Sequence, residues 1–304
     1  MRPEVAPIRE FSRAMVRELN VLDTGNCFAG HSFSECHVLT EVENLGQATV
    51  TALSERLVLE KSTVSRLVQG LVKRGELLMT SDPVDGRRKL LALSSKGRKT
   101  LASIHQHSNA QVEDALAFLS ESEREQVVAG LGRYARALRY ARVSADYRIR
   151  AIKKTDNPAV ASVIRDVMTE HGAVGCGYSI NDPEVDDMHG AYRGPDAAFF
   201  VIEKDGQVLG CGGMAALTGG EPGVCELRKM YFRPELRGKG LGARLLGQIL
   251  DAARHAGFQR CYLETLESMG QARKLYAQHG FVPIDGALGE TGHSACNSFM
   301  LRDL

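Results

Sequence analysis

The chain has 304 residues and a formal net charge of +1; 43% of its residues are hydrophobic and 25% are charged. This composition is typical of globular proteins and excludes disordered and fibrous classes, and the length suggests two domains that each bury a core. No apolar run approaches the roughly 18 residues of a membrane span and the chain starts without an apolar signal core, so we expect no membrane, no export and a cytoplasmic location.

Charge and cysteine usage add two weak indications. Residues 1–144 carry 20 lysines and arginines against 17 acidic residues, and residues 145–304 carry 18 against 20. Alone, this basic excess is weak support for a nucleic-acid partner. The seven cysteines stand singly, without a C-x-x-C pair, which argues against disulfides and structural zinc. We expect no metal site, and we expect Cys261 to be a buried core residue rather than a nucleophile.

Helical periodicity dominates the first half of the chain. Apolar residues recur at helical spacing over residues 8–23 and 34–44, with Ser34 as the expected N-cap. Shorter helices are predicted at 49–58 and 62–74, and Gly75 is suited to a C-cap. A strand at 77–80, a turn at 82–88 and a strand at 89–93 predict a β-hairpin, followed by helices at 96–119 and 121–141.

The pattern changes near residues 143–147, after which strands alternate with helices. Strands are predicted at 148–153, 197–204, 207–216, 224–232, 260–265 and 297–302, and helices at 157–170, 240–256 and 269–279. This order predicts an α/β domain with a mixed sheet. We therefore expect an α+β chain of two domains, residues 1–145 and 146–304, of which the first is a mostly helical winged helix-turn-helix with a β-wing.

The two short helices and the hairpin have the arrangement of a DNA-reading unit. A second helix of this kind lies in the major groove, and an arginine-tipped hairpin reaches the minor groove. The exposed polar positions of the second helix are suited to base edges and phosphates, and these positions are Ser62, Thr63, Ser65 and Arg66. The alternative is a charged hairpin that is merely solvated.

Residues 82–89, Asp-Pro-Val-Asp-Gly-Arg-Arg-Lys, followed by Leu-Ala-Leu-Ser-Ser-Lys-Gly at 91–97, resemble the wing of the MarR family. The resemblance covers about residues 5–143. It implies binding of double-stranded DNA by a homodimer held by the first and last helices of this half. It also implies that Arg88 reaches the minor groove and that Arg87 pairs with Asp85.

A glycine-rich loop between a strand and a helix spans Leu227 to Ala243. It contains the string Arg237-x-x-Gly240-x-Gly242. Such a loop presents successive backbone N–H groups at a helix N-terminus, where the helix dipole favours a pyrophosphate. The string lacks the Gly-Lys-Ser/Thr ending of a P-loop and the spacing of a dinucleotide fingerprint.

Together with the preceding Glu226-Leu-Arg-Lys-Met-Tyr-Phe and the later Leu275-Tyr-Ala-Gln-His-Gly-Phe281, this loop resembles the acetyl-CoA motifs of the GNAT superfamily. The resemblance covers about residues 147–304. It implies an N-acetyltransferase fold with acetyl-CoA as cosubstrate. The implied cofactor-binding residues are Met230, Tyr231, Phe232, Arg237, Gly238, Lys239, Gly240, Leu241, Gly242 and Ala243, of which Gly238 to Ala243 hold the pyrophosphate through backbone N–H groups.

Acetyl transfer to an amine needs a base, an oxyanion donor and a proton for the leaving thiolate, because an amine of pKa about 10 is protonated at neutral pH. The resemblance suggests Glu226 as base, the Met230 N–H as oxyanion donor and Tyr276 as acid. Glu264 is a rival base, and Glu226 could instead be a surface carboxylate paired with Arg228. Tyr276 could simply pack beside Phe281.

The sequence identifies the acetyl acceptor less clearly than the cofactor. Residues 171–195 form a glycine-rich segment where this fold builds an acceptor-binding lid, which makes Tyr178 and Arg193 candidate substrate contacts. Alternation places Arg228 on the face of Glu226, where it could hold a carboxylate near the base, so a small amine or amino acid is favoured. His171 and His189 lack paired ligand spacing and are expected to be loop hydrogen-bonders.

Three functions remain open. The favoured one is a transcription regulator fused to a working acetyltransferase. The second is a regulator that senses acetyl-CoA without turnover. The third is a protein-lysine acetyltransferase brought to DNA.

Overall fold

The computed structural model describes residues 2–22, 28, 30–175 and 177–304. These residues form two compact units, Met1–Gln126 and Val127–Leu304. The division falls inside a helix, whereas the expected domain boundary at residue 145 follows the change from helices to strands.

The first unit contains six helices in its described part, the last of which continues into the second unit, and one hairpin. In chain order these elements are α1 (Val5–Glu18), α2 (Phe33–Leu45), α3 (Val50–Leu57), α4 (Lys61–Lys73), β1 (Leu77–Ser81), β2 (Lys89–Leu93), α5 (Ser95–Leu116) and α6 (Glu121–Val143). The two strands pair antiparallel, from Leu77 with Leu93 to Ser81 with Lys89. Fully buried apolar side chains of α2, α3, α4 and β2 meet in one core, among them Leu39, Leu53, Val64, Leu71 and Leu91.

Two expectations for this unit are wrong. The N-cap of α2 is Ser32, not Ser34: the Ser32 hydroxyl accepts from the Glu35 N–H at 3.3 Å, and the Glu35 carboxylate accepts from the Ser32 N–H at 2.9 Å. This reciprocal pair needs a spacing of three residues, which Ser34 does not have with Glu35. The first helix also begins at Val5 and ends at Glu18 rather than running over 8–23, of which residue 23 lies outside the described residues.

The second unit alternates strands and helices. Its elements after α6 are β3 (Arg148–Ala151), α7 (Asn157–Glu170), α8 (Met188–Ala191), β4 (Ala197–Lys204), β5 (Gln207–Ala216), β6 (Val224–Phe232), α9 (Leu241–His255), β7 (Arg260–Thr265), α10 (Gly270–Gln278), β8 (Val282–Ile284) and β9 (Ser298–Asp303). The bounds of α7, β4, β5, β6 and β7 agree with the sequence-based expectation to the residue. The short elements α8 and β8 were not expected, because four and three residues are too few to show a period.

The strands form one seven-stranded mixed sheet in the order β3-β4-β5-β6-β7-β9-β8. Helix α7 packs with β5 and β6 around Val160 and Ile164, and α9 packs with β4, β5 and β6 around Leu245 and Ile249. The two helices belong to separate cores, which gives a sheet with helices on both faces. The expected fold class is confirmed. No helix in the described part of the chain is long and apolar enough to cross a membrane.

Candidate active site and DNA-binding elements

The central sheet opens between β6 and β7. These strands run parallel and pair at three positions, from Val224 with Arg260 to Glu226 with Tyr262. Beyond Glu226 and Tyr262 the two strands no longer pair with each other, and residues of both strands line a cavity there. A second cavity adjoins it on the side of α9 and α10, and the two share Met230, Tyr231 and Tyr276.

A β-bulge directs Met230 into this junction. Lys229 and Met230 both lie between two paired positions, Arg228 with Gly213 and Tyr231 with Cys211. Lys229 has a φ of +54°, which is uncommon for a residue other than glycine. The residue opposite is Gly212, where a Cβ would lie 3.3 Å from the Met230 Cα. The bulge therefore turns the edge of β6 at the point where the oxyanion donor is expected.

The second cavity lies where the sequence predicts that acetyl-CoA binds. It has a volume of about 350 Å³ and is lined by the glycine-rich loop, the end of β6 and the start of α10. Gly238 and Gly240 have φ of +72° and +75°, a region that favours glycine. Helix α9 begins at Leu241 directly after Gly240, so its first N–H groups stand at the loop and are suited to a pyrophosphate.

Several expected cofactor-binding side chains have other partners. Arg237 donates to both carboxylate oxygens of Glu170, at 2.5 and 2.6 Å. Leu241 is buried in the core, so only its backbone can face a ligand. The Tyr231 hydroxyl lies 2.8 Å from the Ser179 hydroxyl. Burial raises the pKa of Tyr231 and keeps it protonated.

Gly240 is also in contact with α6. A Cβ built at Gly240 would lie 2.5 Å from Cγ of Tyr140. Both residues belong to the second compact unit. The glycine is therefore required by its positive φ and by the ring above it, in addition to any role in phosphate binding.

Glu226 lies in the first cavity, which has a volume of about 90 Å³, smaller than the roughly 300 Å³ at the lower end of drug-sized pockets. The side chain is 3% exposed, and one carboxylate oxygen, Oε2, accepts from the Arg228 Nε at 2.5 Å. Burial raises the pKa of Glu226, and the charge of Arg228 acts in the opposite direction. Glu226 is therefore paired with Arg228, but it is a buried carboxylate rather than a surface one.

The rival base Glu264 and His293, a residue that sequence reasoning missed, line the same cavity. Oε1 of Glu264 accepts from the Tyr262 and Thr291 hydroxyls, each at 2.8 Å. Nδ1 of His293 lies 4.0 Å from Glu226 Oε1 and 3.9 Å from Glu264 Oε2. A histidine in a Gly-Glu-Thr-Gly-His loop was the available signal, but no local pattern places that loop above β6.

A buried ion pair supports the bulge. The Lys229 ammonium contacts the Asp182 carboxylate and lies 3.3 Å from Oε1 of Glu184. Asp182 also accepts from Nε2 of His293 at 3.0 Å. Burial opposes ionisation of Asp182, but the hydrogen bonds from His293 and Lys229 outweigh it and lower its pKa. Lys229, Asp182 and His293 come from three separate segments, and the sequence did not associate them.

The position of Tyr276 fits both roles that the sequence allowed, the acid for the thiolate and a packing partner of Phe281. It is 7% exposed, lines both cavities and packs edge-on against Phe281 with ring centroids 5.9 Å apart. Burial raises the pKa of Tyr276, so the hydroxyl keeps its proton until a stronger base is present.

Two of the three residues expected to contact the substrate line the first cavity. Tyr178 and Arg228 line the first cavity. Arg193 does not; it lies in an exposed segment between α8 and β4. His171 lines the second cavity, and the His189 N–H donates to the Asn157 side chain.

The structure offers no metal centre within the described ranges: no group of three or more histidine, cysteine or acidic side chains is placed to hold an ion. Cys261 is fully buried, and its contact with Cys225 and its burial raise the pKa of the thiol. It behaves as a core residue. Cys27 and Cys176 lie outside the described residues.

The elements expected to contact DNA are helix α4 and the hairpin β1–β2. Helix α4 buries Val64, Val68 and Leu71, which leaves Ser62 and Arg66 exposed and Thr63 and Ser65 half-buried. At the wing, the Arg87 Nε lies 3.3 Å from Asp85 Oδ1. The Arg88 side chain is 61% exposed and its Nε lies 3.8 Å from Asp82 Oδ2.

Comparison with known proteins agrees with both halves. Family models match residues 163–281, described as the acetyltransferase (GNAT) family, and residues 29–88, described as the MarR family. The uncharacterized N-acetyltransferase YjgM of Escherichia coli K12 is 47% identical over 157 residues, 51% of this chain and 94% of that protein.

Two further relatives cover one half each. The IAA acetyltransferase of Azospirillum brasilense is 37% identical over 110 residues, 36% of this chain and 70% of that protein. An uncharacterized HTH-type transcriptional regulator of Mycobacterium bovis is 27% identical over 116 residues, 38% of this chain and 81% of that protein.

These matches and the split sheet define the second unit as an acyltransferase that uses acetyl-CoA as its cosubstrate. The chain belongs to the GNAT acetyltransferase family and carries a MarR family domain in its first half.

Proposed function

We propose that the chain is bifunctional: the MarR family domain binds double-stranded DNA as a homodimer, and the GNAT domain acetylates a small amine or amino acid. The observation that carries the enzymatic part is the junction of the two cavities. Met230 and Tyr276 line both cavities, and Glu226 lies on the acceptor side only. An acetyl group delivered through the second cavity would meet an amine beside these residues.

The proposed roles follow from that arrangement. Glu226 removes a proton from the amine, the Met230 N–H stabilises the tetrahedral oxyanion, and Tyr276 gives its proton to the departing thiolate. The raised pKa of Glu226 favours the base role, since a base is most effective when its pKa approaches the working pH. Arg228 holds a carboxylate of the acceptor when one is present.

Exposed apolar side chains support the dimer. Helix α1 has no buried residue, and its Phe11 is 64% exposed; α6 likewise has none, and its Val128 is 71% exposed. Apolar faces of this kind are uncommon on monomers and typical of interfaces. We place the dimer contacts on the first and last helices of residues 1–145, leaving residues 146–304 as the acetyltransferase domain, and we expect a cytoplasmic location.

The test is a library of small amines and amino acids, with lysine peptides included, in which release of free CoA is measured. We expect turnover with small amines and little with peptides. Turnover confined to peptides would favour the protein-lysine function. If no amine is acetylated but acetyl-CoA changes the affinity of the chain for DNA, the sensor function replaces this proposal.

A further inference from the structure

The Lys229 side chain is buried and anchored to another segment of the chain. It is 1% exposed, and its ammonium contacts the Asp182 carboxylate and lies 3.3 Å from Oε1 of Glu184. Both acidic residues belong to residues 171–195, where the sequence predicts the acceptor-binding lid and which are called the lid segment below. One lysine of β6 therefore ties the lid segment to the strand that carries Met230.

The backbone of Lys229 has a conformation that needs support from its surroundings. Its φ of +54° is unfavourable for a residue with a Cβ, and such a conformation persists only where the surrounding structure fixes it. Lys229 is also one of the two residues that bulge from the pairing with β5. Because this residue is not a glycine, the bulge depends on the contacts that its side chain and its carbonyl make.

The peptide bond between Lys229 and Met230 has a defined direction. The Lys229 carbonyl accepts from the Cys211 thiol of β5, with Sγ 3.4 Å from the oxygen. In a planar trans peptide the following N–H points the opposite way, so the Met230 N–H points away from β5. Strand β6 lies between β5 and β7, and it pairs with β7 only as far as Glu226. The Met230 N–H therefore faces the opening of the sheet.

We infer that Lys229 is a positioning residue: the ion pair of its ammonium with the lid segment holds the bulge in the geometry that aims the Met230 N–H at the opening. This inference rests on the proposed acetyltransferase function, in which that N–H stabilises the oxyanion, and deepens it. An oxyanion donor is effective when it is fixed before the reaction, because a mobile N–H must reorient as the charge develops. Lys229 acts through Met230 and takes no part in proton transfer.

Two substitutions separate this role from a general effect of the lost charge. Lys229→Met keeps a long side chain but loses the ion pair, so the backbone can leave the positive φ. Lys229→Gly loses the same ion pair, but glycine adopts a positive φ without strain. Both substitutions release the lid segment, and only Lys229→Gly still favours the bulge.

The experiment measures kcat and KM of the full-length protein with the most active amine of the library. Lys229→Met should lower kcat about 10²- to 10³-fold, the loss expected when one oxyanion donor is removed. Lys229→Gly should recover about tenfold of this loss, the factor by which a left-handed conformation disfavours a residue with a Cβ. The KM for the acceptor should rise similarly in both, because each releases the lid segment. Lys204→Met, which removes a lysine of β4 paired with Asp146, is the control and should leave kcat unchanged.

Circular dichroism and calorimetry with acetyl-CoA check that each variant folds and binds the cofactor. If Lys229→Met does not fold, because two carboxylates lose their cation, Asp182→Asn and Glu184→Gln are added to both variants so that the ion pair is removed whole. A kcat of Lys229→Met within about threefold of the parent overturns the positioning role and leaves the acetyltransferase standing. Equal kcat for Lys229→Met and Lys229→Gly does the same.

Absence of turnover with every amine overturns the proposed function instead, and the direction of the Met230 N–H is then measured without turnover. Infrared spectra of acetyl-CoA with an isotope label at the thioester carbonyl report its hydrogen bonds, since a donor lowers the stretching frequency. We expect a lower frequency in the parent complex than in unbound acetyl-CoA, retained in Lys229→Gly and lost in Lys229→Met. A parent complex with the frequency of unbound acetyl-CoA, or one frequency shared by the parent and both variants, overturns the inference.

Discussion

Glu226 is subject to opposing influences at the scale of single residues. Burial favours its neutral form, and the adjacent Arg228 favours the carboxylate. Burial prevails, and the pKa rises above that of an ordinary glutamate, about 4.3. A base must be deprotonated, so turnover should be lost as the pH falls through this raised pKa, at a higher pH than for an exposed carboxylate.

Glu226→Gln and Tyr276→Phe should both lower kcat by about 10²- to 10⁴-fold at neutral pH, because each residue acts in the chemical step. Affinity for acetyl-CoA should change little. High pH should partly restore Glu226→Gln, since more of the amine is then already deprotonated. It should not restore Tyr276→Phe, which lacks a proton donor at any pH.

The measurement is a pH series of initial rates at saturating acetyl-CoA. Glu125→Gln and Tyr134→Phe, both exposed on α6, are matched controls. Rates within tenfold of the parent for both active-site variants would show that neither role is correct.

At the scale of elements, the hairpin β1–β2 and helix α4 present the polar groups expected to contact DNA. The wing arginines have different surroundings. The Arg87 Nε lies 3.3 Å from Asp85 Oδ1 at the turn, whereas the Arg88 Nε lies 3.8 Å from Asp82 Oδ2, beyond hydrogen-bond distance. The long contact of Arg88 with Asp82 is weak, so this side chain can turn to a phosphate or the minor groove at little cost.

Arg88→Ala should weaken binding to duplex DNA by on the order of 1–3 kcal/mol and lower the salt dependence of binding, because a charged groove contact is lost. Affinity is measured over a salt titration with the operator fragment selected by the parent. Arg254→Ala, which removes an exposed arginine from α9, is the control and should have no effect. An Arg88→Ala salt slope equal to that of the parent removes the wing from the DNA interface.

A substitution in the glycine-rich loop can abolish acetyl-CoA binding for more than one reason, and variants separate these reasons. Gly240→Glu should abolish acetyl-CoA binding if the side chain obstructs the pyrophosphate, since the N–H groups act only at close approach. The Tyr140 ring complicates this test, because any Cβ at Gly240 collides with it. The double variant with Tyr140→Gly removes the collision, whereas Tyr140→Ala would leave a Cβ 2.9 Å from the new one.

Calorimetry with acetyl-CoA distinguishes these explanations. In the Tyr140→Gly background, Gly240→Ala and Gly240→Glu share the backbone strain at positive φ. Binding by Gly240→Ala but not by Gly240→Glu supports obstruction of the cofactor; binding by both shows that the loss came from the collision, and loss in both assigns it to the backbone. Gly238→Glu provides a second test, because the space around Gly238 is open within 4 Å.

At the scale of the whole molecule, the exposed apolar faces of α1 and α6 predict a homodimer. Phe11→Arg should shift the chain toward monomer and weaken DNA binding together with it, because two half-sites are then no longer held by one dimer. Mass is measured by light scattering over a concentration series. Val282→Arg replaces an equally accessible apolar residue on β8 and should leave the mass unchanged. A parent that is monomeric at all concentrations contradicts the dimer.

Local chemistry determined much of this protein from the sequence. Apolar runs bounded by turn residues defined β4, β5, β6 and β7 to the residue, and helical periodicity did the same for α7, because a strong local pattern is insensitive to what packs against it. The glycine-rich loop indicated a pyrophosphate, because the N–H groups of a loop approach a phosphate closely only where glycines leave room, and the resemblance of the loop and its neighbours to the GNAT superfamily implied acetyl-CoA. Alternation also placed Glu226 and Arg228 on one face, where the structure has them in contact at 2.5 Å.

Only the tertiary structure decided which groups surround Glu226. His293 contacts Asp182 across 111 positions of the chain, and Arg237 is taken by Glu170 across 67 positions. Such contacts arise where loops meet the opening between β6 and β7, and a loop has no period that predicts its course. The small cavity, the groups that surround Glu226 within it and the tyrosine ring beside Gly240 therefore follow from packing and not from any local pattern of residues.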